Sequence, residues 1–90
     1  MDVYLKIYGA YINIMWSTNG TEDEDAIGAI GIYVYDRYGN EHETIEGGEM
    51  DVYEDKELTD YIPDILEFIG FKKDKKYTII SEEQFDNIFY

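Results

Sequence analysis

Carboxylates are the side chains with which this sequence could do chemistry. Asp and Glu number 21 against 7 Lys and Arg in 90 residues, a formal net charge of −14. Acids in such numbers can hold a divalent cation or serve as general acid and base. The densest run, Glu22-Asp23-Glu24-Asp25, lacks the D-x-D-x-D-G order and the later Glu of an EF-hand loop, so it reads as a solvated acidic loop. His42 is the one imidazole; it stands between Glu41 and Glu43 with no Ser or Cys nucleophile pattern nearby, and reads as a surface residue rather than a base. Gly28-Ala29-Ile30-Gly31 has neither G-x-G-x-x-G nor G-K-[ST] form, so its glycines predict a bulge or close backbone approach rather than a phosphate cradle. With no cysteine, disulfides, thiolate zinc sites and cysteine nucleophiles are excluded. The residues therefore predict no catalytic centre, no metal site and no cofactor.

The elements that must position these acids follow from periodicity. Val3 to Trp16 alternates Val3, Leu5 and Ile7 against Tyr4, Lys6 and Tyr8, the period of a strand, and Gly9-Ala10 makes it either one bent strand or two short ones. Ser17 to Asp25 is a polar loop with an Asn19-Gly20 turn signal. Ala26 to Tyr35 is an apolar strand that Asp36-Arg37-Tyr38-Gly39-Asn40 turns into a further strand, Glu41 to Glu46, closed by Gly47-Gly48. A helix is expected within Lys56 to Ile69, with Leu58, Ile62, Ile65, Leu66 and Ile69 at helical spacing and Gly70 as its stop. Pro63 falls in its first turn if the helix starts near Asp60 and kinks it if the start is near Asp55. Tyr77 to Ile80 is a short strand, and Ser81-x-x-Gln84 has the form of a capping box for a last helix from Glu82 to about Phe89. The order β-β-β-α-β-α predicts a single α+β domain over residues 1–90, a mostly antiparallel sheet of three or four strands packed by two helices. The expected core is Val3, Leu5, Ile7, Ile30, Ile32, Val34, Ile62, Ile65, Leu66, Ile69, Ile79, Phe85 and Ile88.

Placed on these elements, the acids form rows. On the helix Glu57, Asp60, Asp64 and Glu67 are spaced three, four and three apart, so their carboxylates would repeat about every 4.5–6 Å along the axis. Glu41 and Glu43 would share one strand face about 6.5–7 Å apart. With Glu46, Glu49, Asp51, Glu54 and Asp55, residues 41–67 hold 11 acids and one base, Lys56. Phosphates along one nucleic-acid strand advance about 3.4 Å each, a comparable scale. The charge is polarised along the chain as well: residues 1–70 carry 17 acids and 3 bases, residues 71–90 four of each.

Two resemblances arise from these features. In size, charge, absence of cysteine, abundance of Tyr and rows of carboxylates, the sequence resembles small acidic phage-encoded DNA mimics, including Arn-type anti-restriction proteins and anti-CRISPR inhibitors. That resemblance implies a non-enzymatic inhibitor that occupies the nucleic-acid groove of a host nuclease or other DNA-binding protein, its carboxylates standing in for phosphates. The presenting residues would be Glu41, Glu43, Glu46, Asp51, Glu54, Asp55, Glu57, Asp60, Asp64 and Glu67. The order of elements also resembles the first half of the ribonuclease H fold; Glu57 and Glu82 would then match two of that family's metal-binding acids, while Tyr8 stands in place of its first-strand Asp. The alternatives to mimicry are an acidic protein-interaction or structural module and, further off, a degenerate ribonuclease H-like nuclease.

The charge sets expectations for partners. Direct binding to DNA, RNA or an anionic membrane runs against the sign of the whole surface, and a basic protein is the expected partner. The sequence shows neither a signal peptide nor an apolar run long enough to span a membrane, which predicts a soluble cytoplasmic protein, in the host cytoplasm if viral. The neutral C-terminal part, with Ile88, Phe89 and Tyr90, is where a homodimer would meet no charge repulsion.

Overall fold

In the computed structural model, which describes residues 2–88, the alternating segment Val3 to Trp16 is a hairpin: β1 (Val3–Ile7) and β2 (Ala10–Trp16) pair antiparallel across a turn at Tyr8-Gly9. Gly9 takes φ 81°, a conformation that costs a side chain but not glycine, and that is why the break falls there. β3 (Gly28–Tyr35) pairs with β2, β4 (Gly48–Val52) with β3, and β5 (Thr78–Ile80) with the free edge of β1, all antiparallel. The result is a five-stranded sheet in the order β4-β3-β2-β1-β5, with helices beside it, an α+β architecture. Four strands, not three, precede the helical segment. The register of β3 runs unbroken from Gly28 to Tyr35, so Gly28 and Gly31 mark no bulge, and a side chain at either would meet only ordinary contacts.

The main departure from expectation lies in residues 41–52. Glu41 makes a single bridge to Tyr35 and no strand follows it; the strand is β4, which begins at Gly48. His42 explains the difference. Its Nδ1 accepts the backbone N–H groups of Thr44 (3.2 Å) and Ile45 (3.1 Å), donors that a strand would have spent on its neighbour. The ring proton then belongs on Nε2, 2.9 Å from the carbonyl oxygen of Gly9 in the β1–β2 turn. His42 is thus half-buried and pins one turn to another, more than a surface residue.

One face of the sheet carries the core. Leu5, Ile7, Ile12, Ile14, Ile30, Ile32, Val34 and Val52 project from it against Leu58, Tyr61, Ile62, Ile65, Leu66 and Ile69. These last residues span a 3₁₀ helix, Leu58–Tyr61, that runs directly into α1 (Ile62–Phe68). The apolar stripe is as expected, but the α-helix is half the expected length, because Pro63 belongs in its first turn, where no N–H is required of it. Gly70, at φ 102°, ends it: the N–H of Phe71 returns to Leu66 O (2.8 Å) and that of Gly70 to Glu67 O (3.1 Å), a Schellman pattern. Ile62, Ile65 and Leu66 are wholly buried, each contributing about 1.5–3 kcal/mol from area removed from water. Ile79 faces the same side from the edge strand β5 and stays 54% exposed, so it is not core.

The other face is aromatic. Phe85, from α2 (Glu82–Asp86), packs on Tyr4 (ring centroids 4.6 Å) and Tyr35 (5.8 Å). Ser81 caps α2 as expected: its hydroxyl accepts the N–H of Gln84 at 3.1 Å and the Gln84 side chain accepts the N–H of Ser81 at 2.9 Å. α2 ends at Asp86 with Asn87 as its cap; Phe89 and Tyr90, expected in the helix end and a dimer contact, lie outside the described residues. Among the described residues no helix is long and apolar enough to cross a membrane.

Candidate functional site

The ten candidate acids fall on three kinds of backbone. Glu41, Glu43 and Glu46 lie in the irregular segment before β4, so Glu41 and Glu43 do not share a strand face. Asp51 is on β4; Glu54, Asp55 and Glu57 are on the connection to the 3₁₀ helix, with extended Glu57 as its cap. Asp60 is in the 3₁₀ helix, and only Asp64 and Glu67 are on α1. The row Glu57-Asp60-Asp64-Glu67 is therefore a bent one, since the 3₁₀ turn is tighter and rises faster than the α-helix it joins. All of these acids except Asp51 are exposed.

Their partners are few. Lys56 reaches back to Glu54 at 2.7 Å, and that bond is the first cause holding the lysine above its usual range; its ammonium also lies 5.5 Å from the centre of the Tyr61 ring. Tyr61 in turn donates its hydroxyl to the carbonyl oxygen of Glu54, which ties the acidic connection to the core. Asp64 meets Lys73 at 3.3 Å. Asp51 is turned inward: its two oxygens accept the backbone N–H groups of Glu22 (3.3 Å) and Asp23 (2.8 Å). Glu41, Glu43, Glu46, Asp55, Glu57, Asp60 and Glu67 are left exposed and without an ion pair among the described residues.

A second group of acids, not counted with these in the sequence reading, surrounds Asp51. The loop Glu22 to Asp25 folds onto β4 and onto the exposed Tyr53, whose hydroxyl donates to Asp23 Oδ2 at 2.8 Å; Asn19 Nδ2 donates to Glu49 Oε1 at 3.0 Å. The N–H of Asp25 donates to Asp23 Oδ1, and this bond first, then the Tyr53 hydroxyl, holds the Asp23 carboxyl below its usual range. The bond to Asp23 pushes the Tyr53 phenol up. Acids 22–25 thus sit beside Asp51 and add four carboxylates to those of residues 49–57. The long span between the two segments, closed only by β-pairing, is why spacing along the chain did not bring them together.

The ribonuclease H correspondence is not assembled. Tyr8 sits in the β1–β2 turn, at the opposite end of β1 from Glu82, which begins α2; Glu57 caps a helix on the other face of the sheet from α2. Among the described residues no group of three or more His, Asp or Glu is placed to hold a metal ion. No protein-family model matches the chain, and comparison with curated proteins and with solved structures gave no match either.

Proposed function

We propose that this protein is a non-enzymatic inhibitor that presents its carboxylates to the basic nucleic-acid-binding groove of a host nuclease or other DNA-binding protein, acting in the cytoplasm of the host. The observation that supports this reading is a surface of unpaired acid: seven candidate carboxylates and the loop 22–25 stand exposed, and only two ion pairs relieve them among the described residues. Like charges this dense repel one another, so a surface that keeps them is best matched by a partner that supplies the missing cations. Lys and Arg of a groove shaped for phosphates would meet these acids in charge-assisted contacts, and binding would weaken steeply with salt. Exposed Tyr53, among the acids, offers a rigid ring for stacking by Arg.

Charge reversal tests the reading. Asp60→Lys with Asp64→Lys leaves the buried face of the helix untouched and gives up only the exposed contact to Lys73, a pair worth little to stability. The double variant is expected to melt like the parent and to bind its partner at least about tenfold more weakly, since each contact between charged groups is worth about 1.5 kcal/mol or more. Unchanged affinity in a folded variant would remove the helix row from the interface.

A further inference from the structure

Five of the seven basic residues, Lys6, Arg37, Lys72, Lys75 and Lys76 together with the exposed ring of Tyr8, line two adjoining depressions at the Tyr8-Gly9 end of the sheet. The chain does not show this grouping, because Lys6 and Arg37 are far in sequence from 72–76 and the C-terminal fifth is neutral only on average. In a protein with three acids for every base, none of these five cations pairs with a carboxylate among the described residues. Three rest on tyrosine faces instead: Lys6 Nζ lies 5.9 Å from the centre of Tyr11, Arg37 Cζ 4.9 Å from Tyr38, and Lys75 Nζ 6.0 Å from Tyr8. Arg37 also donates to the Tyr38 hydroxyl at 2.7 Å, which fixes guanidinium and ring together.

The rings are themselves poorly covered. Tyr8 is 91% exposed and Tyr38 67%, both on tight turns where a small polar residue would serve the backbone as well. Asp36, the carboxylate lining the larger depression, is spent on its own turn, its Oδ1 accepting the N–H groups of Tyr38 and Asn40 at 2.9 Å. That depression has a volume of about 850 Å³, the size of a small-molecule site. β3 runs from the acidic loop at Gly28 to this end at Tyr35, seven steps of about 3.3 Å, so about 23 Å separates them. At physiological ionic strength that is more than two Debye lengths of about 8 Å, so the loop 22–25 is screened here; the acids nearby are Glu41, bridged to Tyr35, and Asp74, on the smaller depression.

We infer that this basic, tyrosine-lined cleft binds a nucleotide unit, its phosphate held by Arg37 and Lys76 and its base stacked on Tyr8 or Tyr38. Cations over aromatic rings are the equipment for a ligand with both an anionic group and a flat ring, and base stacking on an aromatic side chain needs no sequence-specific contacts. A long nucleic acid would run off the cleft onto acidic surface, so the ligand is short: a free nucleotide, or the phosphorylated end of a single strand. The inference does not rest on the inhibitor reading, which concerns the carboxylates and none of these five cations.

The test is a titration of the ¹⁵N-labelled full chain, followed by amide NMR at constant ionic strength, with dAMP, deoxyadenosine, inorganic phosphate and a 5′-phosphorylated tetradeoxyadenylate. Saturable shifts confined to residues 6–11, 36–39 and 70–78 are expected. With dAMP they place a free nucleotide in the cleft; with the tetramer alone, a strand end. Deoxyadenosine and phosphate should each bind at least about tenfold more weakly than the ligand that joins them. Arg37→Glu with Lys76→Glu should abolish the response while the spectrum elsewhere stays dispersed, and Tyr38→Leu should weaken dAMP and not phosphate. No saturable shift with any probe, or phosphate binding as well as dAMP, would overturn the inference. So would salt-sensitive self-association that the Arg37→Glu, Lys76→Glu variant loses, for then the acidic surface of a second copy would be the occupant.

Discussion

Replacing Gly47 with alanine should unfold this protein far more readily than its one added methyl group suggests. Gly47 immediately precedes β4 and lies against the backbone of the interior strand β3. A Cβ built there would overlap the carbonyl oxygen of Ile32, 3.0 Å from its carbonyl carbon and 3.4 Å from Tyr33 Cα. The obstacle is main chain, held on both sides by β2 and β4, so neither a rotamer change nor a small tilt relieves it. Overpacking of this kind costs about 1–3 kcal/mol, and the rigidity of β3 places Gly47→Ala near the upper end, about 3 kcal/mol. For a domain of this size each kcal/mol moves the melting temperature by about 4–8 °C, so the midpoint should fall by about 12–24 °C. Gly31→Ala in the middle of the same β3 is the control: its Cβ would make only ordinary contacts, with the Met15 and Tyr33 side chains at 3.5 Å and Met15 O at 3.8 Å, and the melting temperature should change little. Circular dichroism melts of the two variants beside the parent decide it. A Gly47→Ala variant as stable as the parent would refute the register of β4, and with it the packing of the loop 22–25 on Asp51.

Other outcomes follow from the same structure. Tyr53→Phe removes one of the two bonds that hold Asp23 below its usual 3.8, so Asp23 should titrate higher, read from carboxyl carbon shifts by NMR; an unchanged titration would deny the contact. The sign for stability is fixed by the directions: the Asp23 contribution is complete above 3.8 and lost as pH falls through its lowered value, and that of Tyr53 is complete below 10.0 and lost as pH rises through its raised one. Added NaCl should raise the melting temperature by screening the acids, and a midpoint that falls with salt would contradict their mutual repulsion. Ser81→Ala breaks the capping box of a five-residue helix and should cost about 1 kcal/mol, a fall of about 4–8 °C; no shift would mean that α2 is held by Phe85 alone.

What could be read along the chain was whatever is settled locally. Val3, Leu5 and Ile7 declare a strand by alternation, Ser81 and Gln84 declare a helix start by their own side chains, and Gly70 and Pro63 mark where α1 can end and begin. Residues 41–52 were misread for a physical reason: Glu41 to Glu46 has the composition of a strand, but the Nδ1 of His42 captures the N–H groups that would have built it. The sheet then pairs Gly48–Val52 instead, where Met50 and Val52 continue the apolar face. Tyr61 and Val52 joined the core unforeseen, Tyr61 because its hydroxyl finds the carbonyl of Glu54 and Val52 because β4 was not foreseen. The acids were legible as a surface, since most carboxylates without cations stay in water. Asp51 was not distinguishable from its neighbours until the loop 22–25 folded over it.

The molecule therefore carries two kinds of surface. Acids gather on the loop that closes β2 to β3, along residues 41–57 and on the helical segment; five of the seven cations gather with tyrosines at the Tyr8-Gly9 end of the sheet, which Glu41 also reaches through its bridge to Tyr35. Net charge alone describes only the first of these. The inhibitor reading stands or falls on whether the acidic surface competes with nucleic acid for a protein. The most direct measurement immobilises the protein, captures binders from lysate of the host cell, and challenges the captured complex with excess duplex DNA. Release by DNA of a nuclease or DNA-binding protein that does not bind the Asp60→Lys, Asp64→Lys variant is the predicted result. Captured proteins that stay bound in the presence of the duplex would contradict nucleic-acid mimicry.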